Sequence, residues 1–178
     1  MSKMNKTIIT ITRKKVEEEG ILIGEGITRR VYELNGKVYK VCCNRSDCLR
    51  TFRTDDCFLE TVDSNINEFN LYQKNKDKYN FLNPTLRRKN NYRIIEQEKI
   101  DCKKVWDMVL QITESWCPEE EDILELMKQG YLNEYMDFNY EEVIEFINEN
   151  YLEYDEICLT KQWGISKEGY LRLCDYGR

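Results

Sequence analysis

Residues 23–32 of the chain read IGEGITRRVY, and residues 173–177, almost at its end, read LCDYG. The first stretch combines two closely spaced glycines with a run of residues that favour β-structure. The second joins an aspartate to an aromatic residue and a glycine. If both stretches belong to one binding site, the residues between them must bring them together, and this hypothesis guides the rest of the interpretation.

The first half of the sequence predicts a sheet with one helix. Strand-like runs cover residues 7–12, 21–34, 37–42 and 92–98. The pair Asn35-Gly36 predicts a hairpin turn, because both positions of such a turn must tolerate positive φ. Residues 14–20 are predicted to be a polar connection and residues 43–62 a loop or insertion. Ser64 is predicted to cap a helix that continues to about residue 78.

The second half is predicted to be mostly helical. Apolar residues at helical spacing indicate a helix from Cys102 to Thr113, and a second helix is predicted from Pro118 to Lys128. Asn139 and Glu142 form a capping-box pair for a third helix over residues 140–150. Residues 164–175 are predicted to be a hairpin with its turn at 167–169. The fold class is therefore predicted to be α+β.

Composition limits the possible functions. With 178 residues the chain suits one domain, or one domain with a small lobe. Its net charge of −6 argues against general nucleic-acid binding. There is no apolar stretch of the ~18 residues that a membrane span needs, and no signal-peptide pattern, so a cytoplasmic location is expected. The cysteines are expected to be reduced, and a zinc site within the group Cys42, Cys43, Cys48 and Cys57 is left open.

The glycine stretch and the terminal LCDYG together resemble motifs of the protein-kinase family. Gly24, Gly26 and Val31 keep the Gly-x-Gly-x-x-Gly-x-Val spacing, but Arg29 stands where the third glycine would be. Lys40, in the following strand, resembles the lysine that holds the α- and β-phosphates. Asp175 resembles the aspartate of the Asp-Phe-Gly motif.

This resemblance implies a fold and a set of ligands. Residues 1–99 would form a kinase-like small lobe, an antiparallel β-sheet with one helix. Residues 100–178 would form a reduced, mostly helical lobe that ends in a β-hairpin. ATP and Mg²⁺ are the implied cofactors. The implied roles are cofactor binding by Gly24, Gly26, Val31 and Lys40, with the lysine on the phosphates. Glu68 would be the helix partner of the lysine, Glu96 to Glu98 the adenine-binding hinge, and Asp175 and Gln162 the magnesium ligands.

The sequence departs from the family in its catalytic loop. If Gln162 occupies the asparagine position, the residue at the position of the catalytic base is Ile157, which cannot accept a proton. Asp155 and Glu156 are the acidic residues close to it, and Asp155 is the candidate base. The sequence also contains no equivalent of the activation segment and substrate-binding helices that follow the Asp-Phe-Gly motif.

Three functions remain open. The first is a pseudokinase-like protein that acts mainly by binding a partner protein, and a viral or mobile-element inhibitor of a host protein is one form of this function. The alternative is an ATP- and Mg²⁺-dependent phosphotransferase with an atypical catalytic loop, and the third is a small α+β protein whose motif matches are coincidental. A partner could contact the acidic residues 119–125 and the aromatic side chains Tyr131, Tyr135, Phe138 and Tyr140, although helical spacing also predicts that these aromatics pack in the core.

Overall fold

An antiparallel sheet dominates the first half of the chain. The computed structural model describes residues 11–26, 28–43, 55–88 and 91–176, and the side chains of these residues except 55–61, 88, 91–92 and 156. Within them, five strands pair in the order β1-β2-β3-β5-β4. Their bounds are β1 Ile21–Glu25, β2 Arg29–Leu34, β3 Lys37–Cys42, β4 Thr85–Arg88 and β5 Asn91–Glu98. The α+β class is confirmed.

The hairpin between β2 and β3 has the predicted turn. Asn35 and Gly36 both have positive φ, at 53° and 71°, and Leu34 pairs with Lys37 directly across the turn. The predicted run over residues 21–34 is two strands, because the chain reverses between Glu25 and Arg29. Strand β4 was not predicted from the sequence.

The predicted polar connection over residues 14–20 is wrong, because helix α1 covers Arg13–Glu19. Three basic residues each lie four positions before a glutamate, which gives i,i+4 ion pairs such as Arg13 with Glu17 at 2.8 Å. Val16 is fully buried, and the Thr12 side chain caps the first turn. The predicted strand over residues 7–12 lies outside the described residues, except for its last two positions.

The predicted loop over residues 43–62 is also partly wrong, because helix α2 covers Asp55–Asn75. Residues 44–54 lie outside the described residues. Ser64 lies inside the helix and does not cap it, and Glu68 lies in its second half. Two aspartates at positions 55 and 56 favour a helix start through the helix dipole, although no apolar period marks this first part.

The second half contains three further α-helices in the described residues: α3 Cys102–Thr113, α4 Ile123–Lys128 and α5 Tyr140–Glu149. The prediction for α3 is confirmed. The helix predicted from Pro118 is instead a 3₁₀ turn, Pro118–Glu120, followed by α4, because the Asp122 side chain caps the amides of Leu124 and Glu125. Asn139 caps α5 as predicted. None of the helices in the described part of the chain is both long and apolar enough to cross a membrane.

The C-terminal hairpin lies against the segment that follows α2. Strands β6 Trp163–Ile165 and β7 Leu171–Leu173 form the predicted hairpin, with Gly169 in the turn at a φ of 95°. The backbone N–H of Leu173 donates to Phe81 O at 2.8 Å, and Asn83 N–H donates back to Leu173 O at 3.0 Å. These two bonds determine where residues 174–176 continue.

Two groups of buried apolar residues hold the structure together. The smaller lies on the sheet and includes Tyr39, Val41 and the α1 residue Val16. The larger lies among the helices and β6–β7, and it also contains Phe81 from the segment before β4. The proposed division into residues 1–99 and 100–178 stays a prediction.

Candidate functional site

Lys40, Glu68 and Asp175 lie in contact, although 28 and 135 positions separate Lys40 from the other two. The ammonium group of Lys40 donates to Glu68 Oε1 at 2.6 Å and lies 3.4 Å from Asp175 Oδ1. It also donates to the carbonyl oxygen of Cys174 at 2.5 Å. One strand, one helix and the end of the chain therefore meet at a single amine.

The alternation of β3 directs Lys40 toward helix α2. Tyr39 and Val41 belong to the smaller core, so Lys40 and Cys42 point to the other face of the sheet. The Cys42 sulfur accepts a hydrogen bond from Asn65 Nδ2 at 3.0 Å. Asn65 and Glu68 lie three residues apart on α2 and therefore share the helix face that covers this part of β3.

Glu68 is fully buried and accepts hydrogen bonds on both oxygens. Oε1 accepts from Lys40 and from Gln97 Nε2, the latter at 2.5 Å. Oε2 accepts from Arg29 Nη1 at 2.5 Å. A carboxylate at this depth is tolerated only when its charge is paired and its oxygens are bonded, and this arrangement satisfies both conditions.

Arg29 is the site residue whose contacts with Glu68 and Asp175 were not predicted from the sequence. It opens strand β2, is only 7% exposed, and extends from the hairpin to the same acidic pair. Nη1 donates to Glu68 and to Asn65 Oδ1, and Nη2 donates to Asp175 Oδ1 at 2.6 Å. Burial alone would lower the pKa of the guanidinium, but the carboxylates of Glu68 and Asp175 raise that pKa above its ordinary value. The available signal was an arginine in place of the third glycine.

A cleft of about 780 Å³ opens beside this ion-pair network. Its walls come from the β1–β2 hairpin, from α2, and from residues near the C-terminal hairpin. Lys40 and three other residues predicted to bind the cofactor, Gly24, Gly26 and Val31, line it. The lining residues that bear on function are Gly24, Gly26, Arg29, Val31, Lys40, Asp63, Lys161, Gln162 and Asp175.

The backbone conformation of the β1–β2 hairpin does not require glycine at positions 24 and 26. Neither Gly24 nor Gly26 has a φ in the left-handed region. A Cβ atom added at Gly26 would lie 3.6 Å from Arg29 O, and one at Gly24 would lie 3.6 Å from Val31 Cβ, both ordinary contacts. A side chain at either position would instead narrow the cleft. The bare backbone therefore leaves room for a ligand.

Tyr176 is anchored in the interior and thereby positions its neighbour Asp175. Its side chain is 2% exposed, its hydroxyl donates to Asn83 O at 3.0 Å, and the same oxygen lies 2.8 Å from Thr85 Oγ1. Burial, and then the charge of Glu68, raise the pKa of this hydroxyl well above its usual value. The aspartate is thus attached to a residue anchored in the interior.

The residues predicted to form an adenine-binding hinge lie within the sheet. Glu96 pairs with Tyr39 of β3 and with Leu86 of β4. The side chain of Gln97 points to the ion-pair network, where it donates to Glu68 and to Thr85 Oγ1. By strand alternation Glu96 and Glu98 point to the opposite face, and neither is among the residues that line the cleft. Their role in ligand binding stays a prediction.

The predicted catalytic-loop residues lie in different places. Gln162 lines the cleft, is 4% exposed, and accepts the backbone N–H of Leu159 on Oε1 at 3.3 Å. Asp155 is exposed and is not among the lining residues. Ile157 is fully buried, and its carbonyl accepts the indole N–H of Trp163 at 2.8 Å. No carboxylate from this loop lines the cleft within the described residues.

Both predicted magnesium ligands already accept hydrogen bonds from the protein, and magnesium binding by them stays a prediction. Mg²⁺ binds carboxylate and other oxygen ligands, but Asp175 Oδ1 already accepts from the Arg29 guanidinium and lies 3.4 Å from the Lys40 ammonium. The amide oxygen of Gln162, the other predicted ligand, accepts a backbone N–H. Among the described residues no group of three or more histidine, cysteine, aspartate or glutamate side chains could hold a metal.

The zinc site left open at the cysteines receives no support from the described part of the chain. Cys42 and Cys43 are buried and form no disulfide. Cys48 and the side chain of Cys57 lie outside the described residues.

Comparison with known proteins gives no relative for this chain. No protein-family model matches it, and neither the curated proteins nor the solved structures contain a significant match.

Proposed function

We propose that this chain is a kinase-like protein that binds a nucleoside triphosphate in its cleft and acts without transferring phosphate, by contacting a partner protein. The observation that carries the proposal is the contact among Lys40, Glu68 and Asp175 at the base of the cleft. The kinase resemblance requires three groups in contact. They are a lysine on a strand, a glutamate on the facing helix that pairs with the lysine, and an aspartate that follows the last hairpin.

The cleft has features that suit a polyphosphate ligand. Its volume of about 780 Å³ lies within the range of small-molecule sites. Gly24 and Gly26 bring bare backbone to one wall, and Arg29, Lys40 and Lys161 bring positive charge to the others. Lys161 already pairs with Glu120 at 2.6 Å on the protein surface, so the charge buried at the base comes from Lys40 and Arg29.

The lack of phosphate transfer is proposed because, among the side chains that the structure describes, no candidate base of the predicted catalytic loop lines the cleft. Asp155 is exposed and does not line the cleft, and Ile157 has no titratable group. A general base contributes roughly 10²- to 10⁴-fold to a reaction rate, so its loss alone would leave a slow reaction. The pairing of Asp175 Oδ1 with Arg29 also weakens magnesium binding by this carboxylate, because the guanidinium places a positive charge beside it.

Thermal unfolding with and without ATP, in buffer that contains Mg²⁺, tests nucleotide binding. ATP should raise the midpoint of the wild-type protein, because a ligand that binds only the folded state stabilises it by mass action. Lys40→Met should abolish the rise, and the variant should still fold because Arg29 remains paired with Glu68. Lys37→Met is the matched control on the same strand, outside the cleft lining, and should keep the rise. A wild-type protein that does not respond to saturating ATP would contradict the proposal.

Incubation with ATP labelled on the γ-phosphate distinguishes this function from the phosphotransferase alternative. We expect neither labelled protein nor released phosphate above the uncatalysed background. Turnover by the wild type that disappears in Asp175→Asn would overturn the proposal in favour of the enzyme.

The partner-binding part of the proposal is supported by exposed aromatic side chains. Phe138 is buried, and Tyr135 and Tyr140 pack against the larger core, so these residues are structural. Trp116, next to the acidic 3₁₀ turn, is instead 95% exposed, and exposed aromatics are enriched at protein interfaces. A partner protein that binds the wild type should not bind Trp116→Ser. Tyr151→Ser, a change at a side chain that is 94% exposed, is the control and should still bind that partner. Equal retention by both variants would argue against this surface.

A further inference from the structure

Arg29 and Lys40 differ in how many donors they have left for a ligand. The ammonium group of Lys40 has three N–H donors, and its three nearest acceptors are Glu68, Cys174 O and Asp175. The guanidinium of Arg29 has five. In the described structure it uses Nη1 twice and Nη2 once, so its Nε–H and one Nη2 hydrogen have no described partner. Arg29 lines the cleft. It can donate these two hydrogens to an anion and keep its contacts with the protein.

The charges at the base of the cleft are already balanced by the protein. The carboxylates of Glu68 and Asp175 are matched by the cations of Arg29 and Lys40, and each cation is paired with both carboxylates. Without Arg29 this group would carry one excess negative charge facing a polyphosphate. A divalent cation would then be needed to bring the ligand and Asp175 together.

Arg29 also occupies one of the two oxygens of Asp175 at which such a cation would bind. Its Nη2 lies 2.6 Å from Asp175 Oδ1, so a metal ion bound at that oxygen would lie in contact with a buried positive charge. Two positive charges that share one carboxylate oxygen repel each other strongly in a site that is only partly solvated. Arginine is suited to replace the metal here, because its planar group can hold a carboxylate on one edge and a phosphate on another.

We infer that the cleft binds the polyphosphate of its nucleotide without a divalent cation, with the Arg29 guanidinium supplying at Asp175 the positive charge that a metal would otherwise supply. This inference rests on the proposed nucleotide-binding function and specifies how that binding is achieved. Arg29 is then a ligand-binding residue, and its position in the third-glycine place of the hairpin is a functional feature of the site.

The test is the affinity for ATP, measured by isothermal titration calorimetry with excess Mg²⁺ and again with excess EDTA. The wild-type dissociation constants should agree within about twofold, because the protein supplies the charge in both cases. Arg29→Ala should weaken binding in EDTA by at least about tenfold, and Mg²⁺ should restore part of the loss. Arg30→Ala, a change to the neighbouring residue whose side chain pairs with Glu25, is the matched control and should bind as the wild type does.

The possible results distinguish failure of the metal-independent binding from failure of the proposed function. Wild-type binding that requires Mg²⁺ would overturn the inference and leave the proposed function intact, whereas no binding in either buffer would overturn both. Arg29→Ala that binds ATP in EDTA as tightly as the wild type, or more tightly, would show that Arg29 does not supply the charge. If that variant fails to fold because Glu68 loses a partner, the wild-type comparison still decides the question, and Arg29→Lys provides a milder variant that keeps the positive charge.

Discussion

At the scale of single residues, Tyr176 shows how an interior contact positions a functional group. Its hydroxyl is bonded to Asn83 O and lies within hydrogen-bonding distance of Thr85, while the residue before it, Asp175, is 38% exposed at its side chain and meets Arg29. The aromatic ring gives the chain a fixed point one residue from the carboxylate. A shift there would move Asp175 relative to Lys40.

Tyr176→Phe should lower the free energy of unfolding by about 1 kcal/mol at pH 8, the usual net value of one hydrogen bond. The cost should be no larger, because Asn83 O also accepts from Thr85 Oγ1. The pKa of the folded Tyr176 is raised, so its stabilising effect is complete below the unfolded pKa of about 10 and is lost as the pH rises above it.

The difference between wild type and Tyr176→Phe should therefore begin to shrink near about pH 10 and continue to shrink as the pH rises further. Urea denaturation at several pH values measures it. Tyr151→Phe, which alters a highly exposed ring, should show no such change. A difference that stays constant or grows with pH would contradict the assignment.

At the scale of elements, the β1–β2 and β2–β3 connections of the sheet use glycine for different reasons. Gly36, in the turn between β2 and β3, has a positive φ of 71°, which a side chain makes unfavourable. Gly26, between β1 and β2, has no such constraint, and a side chain there would meet little but the cleft. One glycine serves the fold, and the other leaves space in the cleft.

The same substitution at these two glycines should produce opposite effects. Gly36→Ala should lower the free energy of unfolding by roughly 1 kcal/mol through backbone strain and leave ATP affinity unchanged. Gly26→Ala should leave stability almost unchanged and weaken ATP binding. Chemical denaturation and calorimetry on both variants provide the comparison, and each variant is the other's control. Gly26→Ala with unaltered affinity would argue against a ligand at this hairpin.

At the scale of the whole molecule, Phe81 links the two halves of the chain. Its ring lies 5.5 Å from that of Phe146 and 6.0 Å from that of Trp163, and its carbonyl accepts from the N–H of Leu173. The chain continues from Leu173, at the end of β7, to Asp175, which lies beside Lys40. The larger core and the ion-pair network therefore depend on the same short segment.

Phe81→Ala should lower the free energy of unfolding by about 3–5 kcal/mol, the usual cost of removing a fully buried aromatic ring. Because the linked parts should unfold together, tryptophan fluorescence and far-ultraviolet circular dichroism should report the same shifted midpoint. Phe69→Ala, at a partly buried ring on α2, is the control and should cost less. Two separated transitions would show that the sheet and the helical part are stable independently.

The sequence by itself determined the local features of this protein. The Asn35-Gly36 turn, the capped helix after Asn139, helix α3 and the C-terminal hairpin were all predictable, because each depends on residues that are neighbours along the chain. The predictions failed where a local pattern was weak or ambiguous. Helix α1 has one buried apolar residue, and the first turns of α2 have no apolar period.

Only the tertiary structure decided how the candidate site is arranged. The sequence suggested that Lys40, Glu68 and Asp175 belong together by resemblance to a family, but their distances depend on how α2 packs on β3 and how β7 lies beside Phe81. It could not show that Arg29 enters the same network, because an exposed and a buried arginine look alike in a sequence. Contacts across 146 positions, such as that between Arg29 and Asp175, arise from packing of the whole chain and have no signature in the residues next to them.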